Sequence, residues 1–204
     1  MITITTTITT ATTMLADAAL HRLLAWTSPS YPVGSFTYSH GLETAVEDGR
    51  ITTAAHVTAY VEAVLAHGGG WIDAVLFVHA SFLSVTRKAW PHPALDAFAA
   101  RNGDHPMAHA TVMALACAVH AIPLEPALHG WLHATAANLV SAGVRLVPLG
   151  QTDGQLALAA LSHAIPAIAE KALVTPLEDL GTAAPDLELA SLSHETLYTR
   201  LFRS

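Results

Sequence analysis

The sequence predicts an all-α fold, a single-domain bundle of roughly eight to ten helices. Two observations carry this. Apolar residues recur at spacings of three and four almost everywhere after Met14, and alternation of the β type is confined to the Thr-rich start, Met1 to Thr10. Nothing in the composition divides the chain, so we expect a flexible Thr-rich tail over 1–14 and one helical domain over 15–204, closed by a binding tail at 194–204. Candidate helices fall at 15–26, 36–48, 53–67, 71–89, 94–101, 107–121, 126–146, 153–173 and 186–198.

The punctuation between these segments has physical causes. Pro29, Pro32 and Gly34 precede the second helix and Gly49 ends it. Gly68 to Gly70 stop the third through left-handed geometry, as a flexible turn. The run Met107 to Leu124 is the most apolar, but His109, Thr111, His120 and Pro123 interrupt it, so it reads as a buried helix and not a membrane span. Pro148 closes the long helix that follows. Thr152-x-x-Gln155 and Thr175-Pro176-x-Glu178 have the form of capping boxes, and Pro166 should kink the helix containing it.

The chain has 204 residues, 52% apolar and 12% charged. Charged cover this sparse leaves much of the surface apolar or weakly polar, which favours obligate partners or self-association. A net charge of −7 offers no basic field for nucleic acid or anionic lipid. One cysteine, Cys117, sits in an apolar run and reads as a core thiol compatible with a reducing cytoplasm. The N-terminal stretch lacks the basic and uninterrupted apolar regions of a signal peptide.

Thirteen histidines raise a metal reading, and His105/His109 and His129/His133 have the i, i+4 spacing that shares a helix face. Neither pair has a Cys or carboxylate at ligand spacing, so we assign them structural or surface roles and expect no bound metal. His67-Gly68-Gly69-Gly70-Trp71 matches the oxyanion-hole glycines of esterases. That chemistry needs a Gly-x-Ser-x-Gly elbow on a parallel sheet, and Thr37-Tyr38-Ser39-His40-Gly41 has Thr in the first place. No phosphate-cradling Gly-x-x-x-x-Gly-Lys-[Ser/Thr] occurs, so nucleotide hydrolysis is left to a partner. We expect no enzyme.

Two segments carry the positive signal. Thr27 to Glu43 combines a rigid proline turn with Pro32 and Gly34, followed by Tyr38, Ser39 and Glu43, a preset polar face beside aromatic area. The terminus His194-Glu195-Thr196-Leu197-Tyr198-Thr199-Arg200-Leu201-Phe202-Arg203-Ser204 concentrates aromatic and apolar side chains with two guanidinium groups suited to acidic groups. Such area is costly to leave unpaired. Arg145, in Gly143-Val-Arg-Leu-Val-Pro148, stands near the end of a very apolar helix, where it complements the helix dipole or faces an interface.

Ser28-Pro29-x-x-Pro32-Val-Gly34-x-Phe36-x-Tyr38-Ser39-x-Gly41-Leu42-Glu43, Val144-Arg-Leu-Val-Pro148-x-Gly150-Gln151 and His194-Glu-Thr-x-Tyr198-x-Arg200-Leu-Phe-Arg-Ser204 together resemble the urease accessory protein family UreF. The resemblance covers roughly residues 20–70 and 125–204, with a weakly matching middle. It implies a cytoplasmic adaptor and not an enzyme. By the resemblance, two copies form a homodimer, each binds a UreD subunit, also called UreH, through the tail, and the assembly recruits the GTPase UreG. Nickel then reaches apo-urease as cargo, with no resident cofactor. The implied partner-binding residues are Pro32, Gly34, Tyr38, Ser39, Glu43, Arg145, His194, Glu195, Tyr198, Arg200, Leu201, Phe202 and Arg203. The centre, Arg87 to Gly103, is short and lacks the family's Glu-[Thr/Ser]-Arg and Met-Gly motifs. A generic helical scaffold for another metalloenzyme is the alternative.

Overall fold

The computed structural model describes residues 17–28, 31, 39–69, 80–103, 109–182, 184–194, 197, 198 and 201. The expected tail at 1–14 and the expected helical stretches 36–38 and 71–79 lie outside them. The described helices are α1 (Asp17–Trp26), α2 (Leu42–Glu47), α3 (Ala54–His67), α4 (Ala80–Ala89), α5 (Pro93–Asn102), α6 (His109–Val119), α7 (Leu124–Leu146), α8 (Gln151–Leu161), α9 (Ile165–Val174) and α10 (Pro185–His194), with a 3-10 turn at Leu177–Asp179. There is no strand among the described residues. The all-α expectation holds.

The bundle is organised around α7. Its 23 residues make a rod roughly 35 Å long, and α1, α2, α3, α6, α8 and α9 all pack on it. Buried residues at Ala127, Leu128, Trp131, Leu132, Ala136, Leu139, Val140 and Gly143 recur at three and four spacing on a broad face, as a helix surrounded by others requires. Each large side chain among them contributes about 2 kcal/mol by leaving water. α4, α5 and α6 pack on one another, and α6 joins them to α7. There His109 lies edge-on to the Trp131 ring with centroids 4.6 Å apart, so this histidine is a packed interior residue. Cys117 is buried, which pushes its thiol up to about 12, the inert core thiol expected.

Several local expectations shift. Helix α2 begins at Leu42, and Ser39 to Gly41 form the turn before it. The expected 153–173 helix divides into α8 and α9, bent by 43° at a break just ahead of Pro166. A proline in the first turn of α9 keeps its missing N–H where no helical acceptor is needed. Thr152 is not a cap. Only half of a box forms, two residues earlier, where Asp153 Oδ2 accepts from the Gly150 N–H at 2.9 Å and the glycine has no side chain to return the bond. Thr175 also caps no α-helix start; it follows α9, and its hydroxyl donates back to Lys171 O at 2.7 Å. Gly68 does end α3, with an extended backbone in place of the left-handed one expected. The last helix stops at His194, four residues short of the expected end.

No single helix among the described residues is long and apolar enough to cross a membrane. The bent α8–α9 pair passes by length and composition alone. It buries Ala157, Leu161, Ile165 and Ile168, and both its helices pack on α7.

The α3–α7 crossing depends on Gly143, where a Cβ would stand 2.6 Å from Val57 Cγ1. Gly143→Ala gains about 1 kcal/mol of helix propensity but overpacks by about 1–3 kcal/mol. The expected result in denaturant titration is a net loss of about 1 kcal/mol, with Val57→Ala costing less in the Gly143→Ala background than alone.

Candidate functional site at the α2–α10 junction

The structure brings the N-terminal and C-terminal motifs together. The chain enters α2 through two successive left-handed residues, His40 at φ 49° and Gly41 at φ 78°. For His40 this conformation is costly, and Tyr60 of α3 holds it by donating its hydroxyl to His40 O at 2.7 Å. Burial pushes the Tyr60 phenol up, out of the range in which it would ionise. Gly41 is where α10 crosses. A Cβ there would lie 2.6 Å from Ser191 N and 2.7 Å from Ala190 C, so any side chain would drive two backbones apart.

Helix α10 presents one stripe to this turn. Leu187 meets the Gly68 backbone, Ala190 covers Gly41, and His194 reaches Glu43, an i, i+3, i+7 spacing on a single face. Glu43 and His194 are both buried, with 4% and 1% side-chain exposure. His194 Nε2 meets Glu43 Oε2 at 2.7 Å, and the backbone N–H of Leu201 donates to Glu43 Oε1 at 2.7 Å. An ionised carboxylate only accepts, so with Glu43 ionised this contact requires the His194 tautomer that has its proton on Nε2. His194 Nδ1 and the Ser39 hydroxyl are buried and have no hydrogen-bond partner among the described residues.

The opposite face of α10 is apolar and open. Leu189 and Leu192 are 60% and 65% exposed, and Leu201 and Tyr198 continue the exposure past the helix end. Glu43, His194 and Leu201 therefore meet at one place, with Ser39 buried in the turn before α2, while Tyr198 is fully exposed. Arg145 stands exposed in the last turn of α7, its Nε donating to Ser141 O at 3.1 Å. Pro32, Gly34, Tyr38, Glu195, Arg200, Phe202 and Arg203 lie outside the described residues.

Ser39 and Glu43 are interior, not part of an exposed polar face, and α10 covers Glu43 through His194. A buried Ser39 in a turn before a helix, with no sheet among the described residues, also removes the basis for the esterase reading. Among the described residues, no group of three or more His, Cys, Asp or Glu is placed to hold a metal ion.

A second anchor was not anticipated. Tyr31 is buried, its hydroxyl within 2.8 Å of Thr86 Oγ1 on α4, and its ring is 6.0 Å from that of Trp90. Trp90 in turn meets Trp26 edge-on at 5.9 Å, and its carbonyl contacts His120 Nε2 at 3.1 Å. The aromatic spacing Trp26-x₄-Tyr31 ahead of Pro32 was the available signal.

A helical scaffold that pins its two signal-bearing segments together, and leaves apolar side chains outward beside them, defines a protein that works by docking. Comparison with known proteins gives the family. A UreF family model matches residues 80–162, a stretch that includes the centre where the motifs are weak. The chain is similar to the urease accessory protein UreF of Granulibacter bethesdensis, 45% identical over 95% of this chain and 97% of the relative. It is also similar to those of Rhodopseudomonas palustris (41%, covering 92% and 93%) and a Bradyrhizobium species (40%, covering 92% of each). The chain belongs to the UreF family of urease accessory proteins, with that family's general accessory and chaperone role and without a catalytic one. The first alignment spans 230 residues, more than the 204 of this chain, so that relative carries insertions.

Two histidines at these anchors make stability depend on pH. Burial pulls His40 below the usual 6.5, and burial, Arg22 and His92 pull His120 below it against the bond to Trp90 O. Between the folded values and 6.5 the unfolded chain binds more protons, so stability is complete above 6.5 and falls as pH drops below it. The expected result is a Tm that declines from about pH 7 to about pH 5, with a shallower decline in His40→Asn, since Asn tolerates the left-handed backbone without ionising. An unchanged slope would remove His40 from the account.

Proposed function

We propose that this chain is the adaptor of a cytoplasmic metallochaperone complex, required for GTP-dependent nickel insertion into apo-urease. It bridges a UreD/UreH-type subunit and the GTPase UreG, and acts as a homodimer. The observation that carries this is the α2–α10 junction, where a buried polar contact sets one face of α10 on α2 and leaves Leu189, Leu192 and Tyr198 outward. Apolar side chains held on a rigid support bind at low ordering cost, which suits docking of a large subunit. Tyr198, Arg200, Leu201, Phe202 and Arg203 contact the UreD-type subunit, Arg200 and Arg203 through acidic groups.

Recruitment of UreG falls to the proline segment and the end of α7. Pro32, Gly34 and Tyr38 lie between two fixed points, Tyr31 on α4 and His40 under Tyr60. Ser39 and Glu43, being interior, shape this surface from beneath, and Arg145 supplies an exposed cation beside it in function. Nucleotide hydrolysis takes place on UreG, and this chain couples it to nickel delivery by holding the partners in register. Nickel passes as cargo.

The test is nickel-dependent urease activation in cells lacking their own UreF. The full chain should restore activity. A chain ending at Leu197, which keeps His194 on Glu43, should not. Arg145→Ala and Tyr38→Ala should retain UreD binding and lose UreG recruitment. Full activity from the shortened chain would contradict the tail's role, and unchanged recruitment in both variants would remove those two residues from it.

A further inference from the structure

Among the described residues, Glu43 receives donors from both sides of the α10 terminus. His194 is in the helix's last turn, and Leu201 is beyond its end. Seven residues of extended chain could reach roughly 23 Å, yet both groups come to the two oxygens of one carboxylate at 2.7 Å each. The contact to Leu201 is made through the backbone, and its side chain remains 70% exposed. A carboxylate that grips an amide fixes where the chain runs while leaving the side chains to face outward. Tyr198, between the two gripped points, is fully exposed.

We infer that Glu43 is a positioning residue, a clasp whose carboxylate holds the His194 ring and the Leu201 amide at α2 and so sets how Tyr198 and Leu201 are presented to a partner. The part concerning the partner rests on the docking role proposed above for the tail. Closing a loop of this length has an entropic cost. Hydrogen bonds to a charged acceptor, stronger than neutral ones and screened here from water, oppose it. The reach of the side chain matters as much as its charge. Aspartate would withdraw the carboxylate by roughly 1.5 Å, the length of one carbon–carbon bond. Glutamine would keep the length; its oxygen can accept from Leu201 N–H, and its amide can donate to the other tautomer of His194.

The experiment is amide hydrogen exchange on the full chain, read at Leu201, with α3 and α7 amides as internal reference. In the unsubstituted protein Leu201 should exchange about tenfold or more slowly than in an unstructured peptide. Glu43→Gln should largely keep that protection. Glu43→Asp should lose it while α3 and α7 stay protected, and its affinity for a purified UreD-type subunit should fall about tenfold. Should Glu43→Asp also loosen α3 and α7, Leu201→Pro decides the question, since it removes the amide donor at an exposed position and leaves the buried Glu43–His194 pair unsubstituted. It should speed exchange at the Leu197 amide, which donates to His194 O at 3.3 Å, and weaken docking, where Leu201→Ala, which keeps the N–H, should leave Leu197 as slow as in the unsubstituted protein. Leu201 exchanging at the peptide rate in the unsubstituted protein overturns the clasp. So does equal protection in Glu43→Asp, or equal behaviour of Leu201→Pro and Leu201→Ala. If the unsubstituted chain fails to bind the UreD-type subunit, the docking role falls while the exchange comparison still decides the clasp.

Discussion

The structure depends on a buried carboxylate. Glu43 lies in the first turn of a six-residue helix, too short to be stable in isolation. It is joined to groups more than 150 residues away in sequence. Burying a carboxylate and an imidazole has a desolvation cost, and the pair does not by itself argue for high stability. What the pair provides is dependence of one segment on another, because removing either partner leaves the other buried without it, at a cost of about 3–5 kcal/mol. The surrounding packing follows from this geometry. Gly41 admits the α10 backbone, Tyr60 holds the strained His40, and Leu187 and Ala190 lie on the face that carries His194 to Glu43.

The rest of the bundle makes that junction rigid. Helix α7 runs through the middle, and both α2 and α3 pack on it, so the turn carrying His40 and Gly41 is fixed from beneath. On the other side, Trp26, Tyr31, Trp90 and His120 tie the end of α1 to α4 and to the end of α6. The stretch 32–38 is thereby bounded at each end by a buried aromatic hydroxyl, Tyr31 on Thr86 and Tyr60 on His40. The two anchors are independent of each other, one on α4 and the other on α3.

Much of this was legible in the sequence and some was not, for physical reasons. Helical periodicity is a local signal, so the α3, α5, α6 and α7 spans were readable to within a few residues. Pro166 announced a break in the expected 153–173 helix, although its depth, two separate helices, depends on how α8 and α9 pack on α7. Neither expected capping box formed. Asp153 caps from Gly150 because α7 ends at Leu146 and the short connection leaves α8 to begin at Gln151. Glu43 and His194 read locally as polar surface, since no short window can reveal a partner 151 residues away. The i, i+3, i+7 stripe of Leu187, Ala190 and His194 was the one available hint that the histidine faced inward. The structure shows that two of the motif segments are parts of one junction.

The most direct test of that junction is a double-mutant cycle of Glu43→Ala and His194→Ala, with unfolding free energies from denaturant titration at a pH near 7.5, where the ordinary histidine is neutral. If the two ends of the chain are joined as the structure has them, the single substitutions share most of their cost, and the double variant is more stable than their sum by about 1–3 kcal/mol. Additivity within about 0.3 kcal/mol would contradict the account, because it would mean that Glu43 and His194 are stabilised independently and that the terminus does not depend on α2.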